Sequence, residues 1–278
     1  MKLTLLGTGL PMPNPHRKGP SQAITFGEET VLIDCGPGAV HRLVEMGTMP
    51  SQIHRVFLTH QHADHYLDLD YFILIRWLSG VDAPLEIYGP PGIQRMVETL
   101  MEAHAFDYAE RIKSTGTDRG LPTFSFQEYD PGPICEINGA KVKAFNIDHL
   151  PNNLSFGFRF DDKDTSIVLS GDTAPCENVI RYAHKADLLV HECVDARKSN
   201  LAKSSLWKSP EDRIAHMSRI HTFPDALGEV AREADPKKLV TTHMVPATVP
   251  AELKEQIADN FNGPIVIGED LLDFDLAD

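Results

Sequence analysis

The chain has 278 residues, 42% of them hydrophobic, enough for one domain to bury a sizeable core. Its 26 basic residues against 40 acidic ones leave a formal net charge of -14, and Lys and Arg are scattered, which argues against a surface built for phosphate backbones. Cys35, Cys135, Cys176 and Cys193 stand far apart with no C-x-x-C pair, so neither a disulfide framework nor a thiolate zinc site is expected. The apolar start "MKLTLLG" is too short for a signal segment or a membrane span, and residence in the cytoplasm is the expectation.

In chain order, short β-type runs come first: "KLTLLG" (2–7), "QAITFG" (22–27), "TVLIDCG" (30–36) and "IHRVFLT" (53–59), with a hairpin at "GEE". Apolar spacing predicts a helix over 38–47, and a second over 67–80 ending at Gly80. "LEIYG" (85–89) is another strand, followed by a helix over 91–106. The second half predicts strands at 124–129, 140–147, 155–160, 166–171, 187–192 and 238–243, and terminal strands at "PIVIG" and "LLDFDL". Helices fall at 176–184, 224–234 and 251–261. Residues 106–122 and 193–213 read as long polar loops. No Pro/Gly-rich linker divides the halves, so residues 1–278 read as one domain with sheet packed on sheet and helices outside.

Chemistry concentrates in "FLTHQHADHYLDLD" (57–70). His60, His62, Asp64 and His65 follow an apolar strand directly, where a loop is held by the sheet yet open at its tip. Imidazole and carboxylate are ordinary ligands for zinc and its neighbours. One turn cannot close a coordination shell. His149, Asp172 and His243 each follow a further β-run and would gather at the same edge. Asp68 and Asp70 lie on the following helix, and no partner calls for them.

The H-x-H-x-D-H run with later His149, Asp172 and His243 resembles the metallo-β-lactamase superfamily. "LIDCGPG", "SFGFRF", "SGDTAP" and "THMVP" are similar to its RNase Z-like branch, closest to the bacterial arylsulfatase-like members. The resemblance implies a four-layer αββα sandwich of the α/β (α+β) class and a hydrolase with two divalent metal ions, zinc first, with manganese or iron as alternatives. It assigns His60, His62 and His149 to one ion, Asp64, His65 and His243 to the other, and Asp172 to both. Two such ions, roughly 3.5 to 4 Å apart, ionise a bridging water that becomes the nucleophile. Asp34 in "LIDCG" would support the site from behind the ligands, although a turn aspartate before Gly36 fits equally well. Glu192 in "VHECVD" and His221 before "TFPDALGEVA" resemble a pair in which the His protonates a leaving oxygen or binds the oxyanion and the Glu orients it; with Asp64 they are the expected catalytic residues.

The flexible tRNA-binding arm that RNase Z proteins insert between the "SFGFRF" and "SGDT" equivalents is missing, since only "DDKDTSIVL" separates them. The expected substrate is therefore a small ester: a sulfate ester, a phosphodiester, or a carboxylic ester or lactone. Nucleic acid and membrane partners are not expected, and a homodimer is compatible with the sequence. A tRNA 3'-processing endoribonuclease and a β-lactamase- or thioesterase-like acyl hydrolase are the alternatives. Arg111, Trp207 and Phe223 are the expected substrate contacts.

Overall fold

The computed structural model describes residues 1–151, 154–198 and 207–276. Among them the chain forms two seven-stranded sheets. The first sheet contains β1 (Lys2–Gly7), β2 (Ser21–Phe26), β3 (Glu29–Ile33), β4 (Arg55–Phe57), β5 (Leu85–Gly89) and β6 (Phe124–Glu128), and the C-terminal β14 (Asp273–Asp275) pairs beside β1. The second contains β7 (Gly132–Ile137), β8 (Ala140–Asn146), β9 (Phe156–Asp162), β10 (Thr165–Leu169), β11 (Leu188–Glu192), β12 (Leu239–Thr242) and β13 (Ile265–Ile267).

Side-chain alternation makes the layers. On β3, Val31 and Ile33 face the second sheet while Leu32 faces outward; on β11, Leu188 and Val190 face inward and Leu189 outward. Both sheets are thus apolar on both faces, as sheets covered by helices must be. The outer face of the first is covered by α1 (Ala39–Glu45), α2 (Leu69–Leu78) and α3 (Ile93–Ala103), through Leu43, Phe72 and Val97 among others. α5 (Glu177–Ala183), α7 (Pro224–Ala234) and α8 (Pro250–Ala258) cover the second through Val179, Leu227 and Ile257. The expected αββα sandwich is what the chain forms. None of the described helices is long and apolar enough to cross a membrane.

At the centre of the inter-sheet core, Phe57 is fully buried, stacked on Tyr88 at 4.5 Å and edge-on to Phe158 at 6.0 Å. Phe57→Ala is expected to cost about 3–5 kcal/mol of stability, readable as a shift of the urea midpoint with unchanged slope. A loss below about 1 kcal/mol would mean the neighbouring rings collapse into the space.

Three segments depart from the sequence reading. β7 went unanticipated because it opens with Gly132-Pro133; it is tolerable as an edge strand, with its register shifted between Pro133 and Cys135. The helix expected over 91–106 breaks at His104, and α4 (Ala105–Thr115) occupies much of the stretch expected to be a polar loop. Tyr108, the buried residue of α4, packs edge-on against Trp77 at 5.1 Å. Beyond α4, the Trp77 indole donates to the Gly120 carbonyl at 2.9 Å and Arg119 donates to the carbonyls of Trp77 and Val81, so 116–122 is tied to the end of α2. The expected loop 193–213 holds a helical turn, Ala196–Lys198, and the start of α6 (Pro210–Met217); residues 199–206 lie outside the described residues. The "SPED" start of α6 carries its own signal, since Ser209 Oγ accepts from the Asp212 N–H at 3.1 Å and Pro210 occupies the first turn.

What positions the site is strand direction. β3 to β6 run parallel in one sheet and β10 to β13 in the other, and β8 shares the direction of β10 across two antiparallel steps. The carboxyl ends of parallel strands are where open α/β sheets place their ligands. The Phe156 N–H donates to the Thr59 carbonyl at 3.0 Å, stitching the two sheets together at that edge.

Candidate metal centre and active site

The seven sequence-expected ligands converge. After β4 the chain turns through a short 3-10 segment, Ala63–His65, which places His60, His62, Asp64 and His65 around one point. His149 follows β8, Asp172 follows β10, and His243 follows β12. The sets His60-His62-His149, His60-His65-Asp172 and Asp64-His65-His243 each keep their donor atoms within 4.8 Å of one another. His62 Nδ1 lies 3.1 Å from His149 Nε2, and Asp172 Oδ2 lies 3.3 Å from His65 Nε2 and 3.2 Å from His243 Nε2. Asp64 Oδ2 is 3.6 Å from His65 Nε2 and 3.5 Å from His243 Nε2.

These spacings fit a metal site. Donors around a tetrahedral zinc with bonds of about 2.0–2.2 Å lie roughly 3.3 Å apart. Within the protein alone, Nε2 of His60 and Nε2 of His243 are buried with no hydrogen-bond partner among the described residues, a costly arrangement unless a cation takes the lone pairs. Burial pushes the His60 imidazole well below its usual range and His149 down to about 4, so both rings are neutral and carry free lone pairs. No cysteine joins any of these sets among the described residues.

A surrounding layer of hydrogen bonds fixes which nitrogen faces the cluster. Asp34 Oδ2 accepts from His65 Nδ1 at 2.8 Å, and its two oxygens also accept from the Thr59 N–H at 2.8 Å and the Thr59 hydroxyl at 2.9 Å. With its proton given to Asp34, the Thr59 hydroxyl accepts from His60 Nδ1 at 3.0 Å. His149 Nδ1 donates to the Ile220 carbonyl at 2.7 Å. All three rings therefore turn Nε2 inward. Asp34 is more than a turn residue, yet it holds φ 55°, the left-handed region that non-glycine residues avoid; His243 does the same at φ 54°. Gly36 is required by close approach, since a Cβ there would stand 2.4 Å from the Asp64 carbonyl oxygen.

Beside the cluster lies the second expected pair. Glu192 Oε1 accepts from His221 Nδ1 at 2.9 Å and from the Thr173 N–H at 2.7 Å, leaving His221 Nε2 grouped with donor atoms of Asp172 and His243. Burial raises the Glu192 carboxyl well above its usual range, with Asp172 adding to it; burial lowers His221, against the pull of Asp172 and Asp64.

The three expected substrate contacts find other partners. Arg111 is on the exposed side of α4, paired with Asp107 at 2.7 Å. Phe223 is buried with Val194, Ala196 and Val245, and Arg197 lies over its ring at 5.5 Å. Trp207 packs on His216 at 4.9 Å. Asp68 caps α1 by accepting from the Val40 N–H at 2.9 Å, and Asp70 pairs with His104 at 2.7 Å, so both stay out of the cluster as expected.

A family model described as "Anti-Pycsar protein Apyc1" matches residues 1–245. Ribonuclease Z of Mycobacterium bovis (strain BCG / Pasteur 1173P2) is 33% identical over 277 residues, covering 98% of this chain and 96% of that protein. The chain belongs to the Apyc1 family, among the ribonuclease Z-type hydrolases of the metallo-β-lactamase fold. Solved structures agree on the fold. The metallo-β-lactamase fold protein YhfI from Bacillus subtilis matches with TM-score 0.74 at 19% identity, over 98% of each chain. Human tRNase Z, short form, matches with TM-score 0.72 at 24% identity, over 100% of each.

For this ribonuclease Z-type hydrolase, the leaning toward arylsulfatase-like members is not supported, since curated relatives carry the ribonuclease Z name. The sequence reading had missed Thr59, Thr173 and the Ile220 carbonyl as supports. Thr59 was readable in principle, since it sits between a strand and the first histidine; the other two act through backbone atoms that no residue type betrays. Asp34→Asn is expected to lower metal affinity roughly 10- to 100-fold by loosening His65 and Thr59, read by chelator competition on a protein whose melting temperature without metal is unchanged. Wild-type affinity in this variant would show that the backbone alone orients His65.

Proposed function

We propose that this metal-dependent hydrolase is a phosphodiesterase acting on a small phosphodiester. The observation that carries the reading is the Glu192–His221 pair set against Asp172 and His243, at 2.9 Å and with Nε2 of His221 turned toward them. His60, His62 and His149 would hold one divalent ion and Asp64, His65 and His243 a second, with Asp172 between them, zinc first. Such ions supply a water of lowered pKa and fixed positive charge against the negative charge that develops at phosphorus. Around them, Asp34, Thr59 and the Ile220 carbonyl hold the rings in place. Glu192 keeps a proton on Nδ1 of His221, so that Nε2 is the atom that delivers a proton to the leaving oxygen.

Similarity to ribonuclease Z supports phosphoryl over sulfuryl or acyl chemistry. The net charge of -14 and the two-residue turn, Lys163-Asp164, between β9 and β10 favour a small substrate over a polymer. The test is a panel of bis-p-nitrophenyl phosphate, p-nitrophenyl sulfate, p-nitrophenyl acetate and a lactone. The phosphodiester should be turned over, with activity abolished by a chelator and restored by zinc or manganese; turnover of the sulfate or acetate alone would overturn the reading. A second reading, tRNA 3' processing, is favoured by 33% identity to ribonuclease Z along 98% of the chain. It calls for cleavage of precursor tRNA with affinity falling steeply as salt rises.

A further inference from the structure

Beside the cluster, between the sheets, lies a narrow cavity of about 20 Å3. Its lining includes Gln22, Asp34 and His65 from the first half of the chain and Asp172, Glu192, Thr242 and His243 from the second, so it adjoins the cluster. The volume matches one water molecule, which needs at least roughly 10–15 Å3 and two to four polar partners. Those partners are present. Glu192 Oε2, Thr242 Oγ1 and His243 Nδ1 are all buried and have no hydrogen-bond partner among the described residues. Glu192 and Thr242 are register neighbours on the parallel pair β11–β12, so their side chains stand side by side on the inward face. His243 follows directly. Its Nε2 faces Asp64 and Asp172, so its Nδ1 carries the ring proton and points away from them.

His60, His65 and His149 each pass their Nδ1 proton to a protein oxygen, while His243 has none. A metal-ligating histidine is oriented by what its second nitrogen bonds, and an N–H buried without a partner is costly. We propose that the cavity holds one ordered water that accepts from His243 Nδ1 and is hydrogen-bonded to Glu192 Oε2, with Thr242 Oγ1 as its third contact and Thr242 as the residue that positions it. Through this water, His243 and the Glu192–His221 pair become one hydrogen-bonded unit. Thr242 touches neither metal nor substrate; it acts by holding the water. The inference rests on the reading that His243 binds a metal ion.

Thr242→Val keeps the β-branched shape and removes the hydroxyl, and Thr242→Ser restores it. Zinc affinity is measured by competition with a chromogenic chelator, beside the melting temperature of the metal-free protein. Thr242→Val should bind zinc roughly 10- to 100-fold more weakly, Thr242→Ser should return to within a few-fold of wild type, and a high-resolution crystal structure of the zinc-loaded wild type should show one water in the cavity. Wild-type affinity in Thr242→Val, equal losses in Thr242→Val and Thr242→Ser, or a dry cavity in the wild type would each overturn the proposal. Failure of the metal reading itself looks different, since the wild type would then bind no zinc. If Thr242→Val does not fold, Glu192→Gln, which keeps the shape and weakens the acceptor, should likewise weaken zinc binding, and unchanged affinity there would count against the water.

Discussion

His221→Ala is expected to keep its metal and lose roughly 10² to 10⁴ in turnover of an alkyl-type phosphodiester, the usual worth of a positioned general acid. The reason is local. Nε2 of His221 groups with donor atoms of Asp172 and His243, while its Nδ1 is held by Glu192 at 2.9 Å. The loss should depend on the leaving group. An alkoxide needs a proton as the P–O bond breaks, whereas p-nitrophenolate leaves without one, so bis-p-nitrophenyl phosphate should suffer far less than an alkyl ester. Equal losses on both substrates would assign His221 to binding negative charge instead. Glu192→Gln should follow the same leaving-group pattern with a smaller amplitude, because it weakens the hold on Nδ1 without removing the ring.

Asp172→Ala is expected to remove metal and activity together, with a loss exceeding the 10⁴ or so that a general acid can supply. Its Oδ2 stands 3.3 Å from His65 Nε2, 3.2 Å from His243 Nε2 and 4.0 Å from His60 Nε2, so one oxygen faces histidines of both proposed ligand sets. The histidines hold the Asp172 carboxyl well below its usual range against the cost of burial, so it sits in the cluster as an anion. Without it, the ions would have only one other carboxylate, Asp64, to offset their charge. Metal content by mass spectrometry and kcat/KM on the same preparation check this; a variant that retains two equivalents of zinc would show that Asp172 is not shared.

Much of this was legible before the structure. The ligands were readable because each follows an apolar β-run, and strands of one direction end at one edge. What stayed hidden depends on tertiary partners. α4 was read as loop because its composition is polar all round, and Tyr108 has a reason to be buried only once Trp77 is beside it. Phe223, an expected substrate contact, is buried in a small cluster with Val194 and Val245 that only the tertiary fold brings together. Arg111 is a free cation in sequence and an i,i+4 partner of Asp107 in space. The supports given by Thr173 and Ile220 are backbone atoms, whose direction no sequence pattern records.

The stitching of the two sheets at the site edge bears on how the molecule assembles. Residues up to Glu128 build six of the seven strands of the first sheet and carry His60, His62, Asp64 and His65; His149, Asp172 and His243 arrive only with the second. Neither half owns a full donor set. An ion held by either proposed set therefore ties one half to the other, and a chain without the second half lacks His149, Asp172 and His243. Bound metal would then act as a clasp, drawing the equilibrium toward the folded sandwich by an amount set by its free concentration.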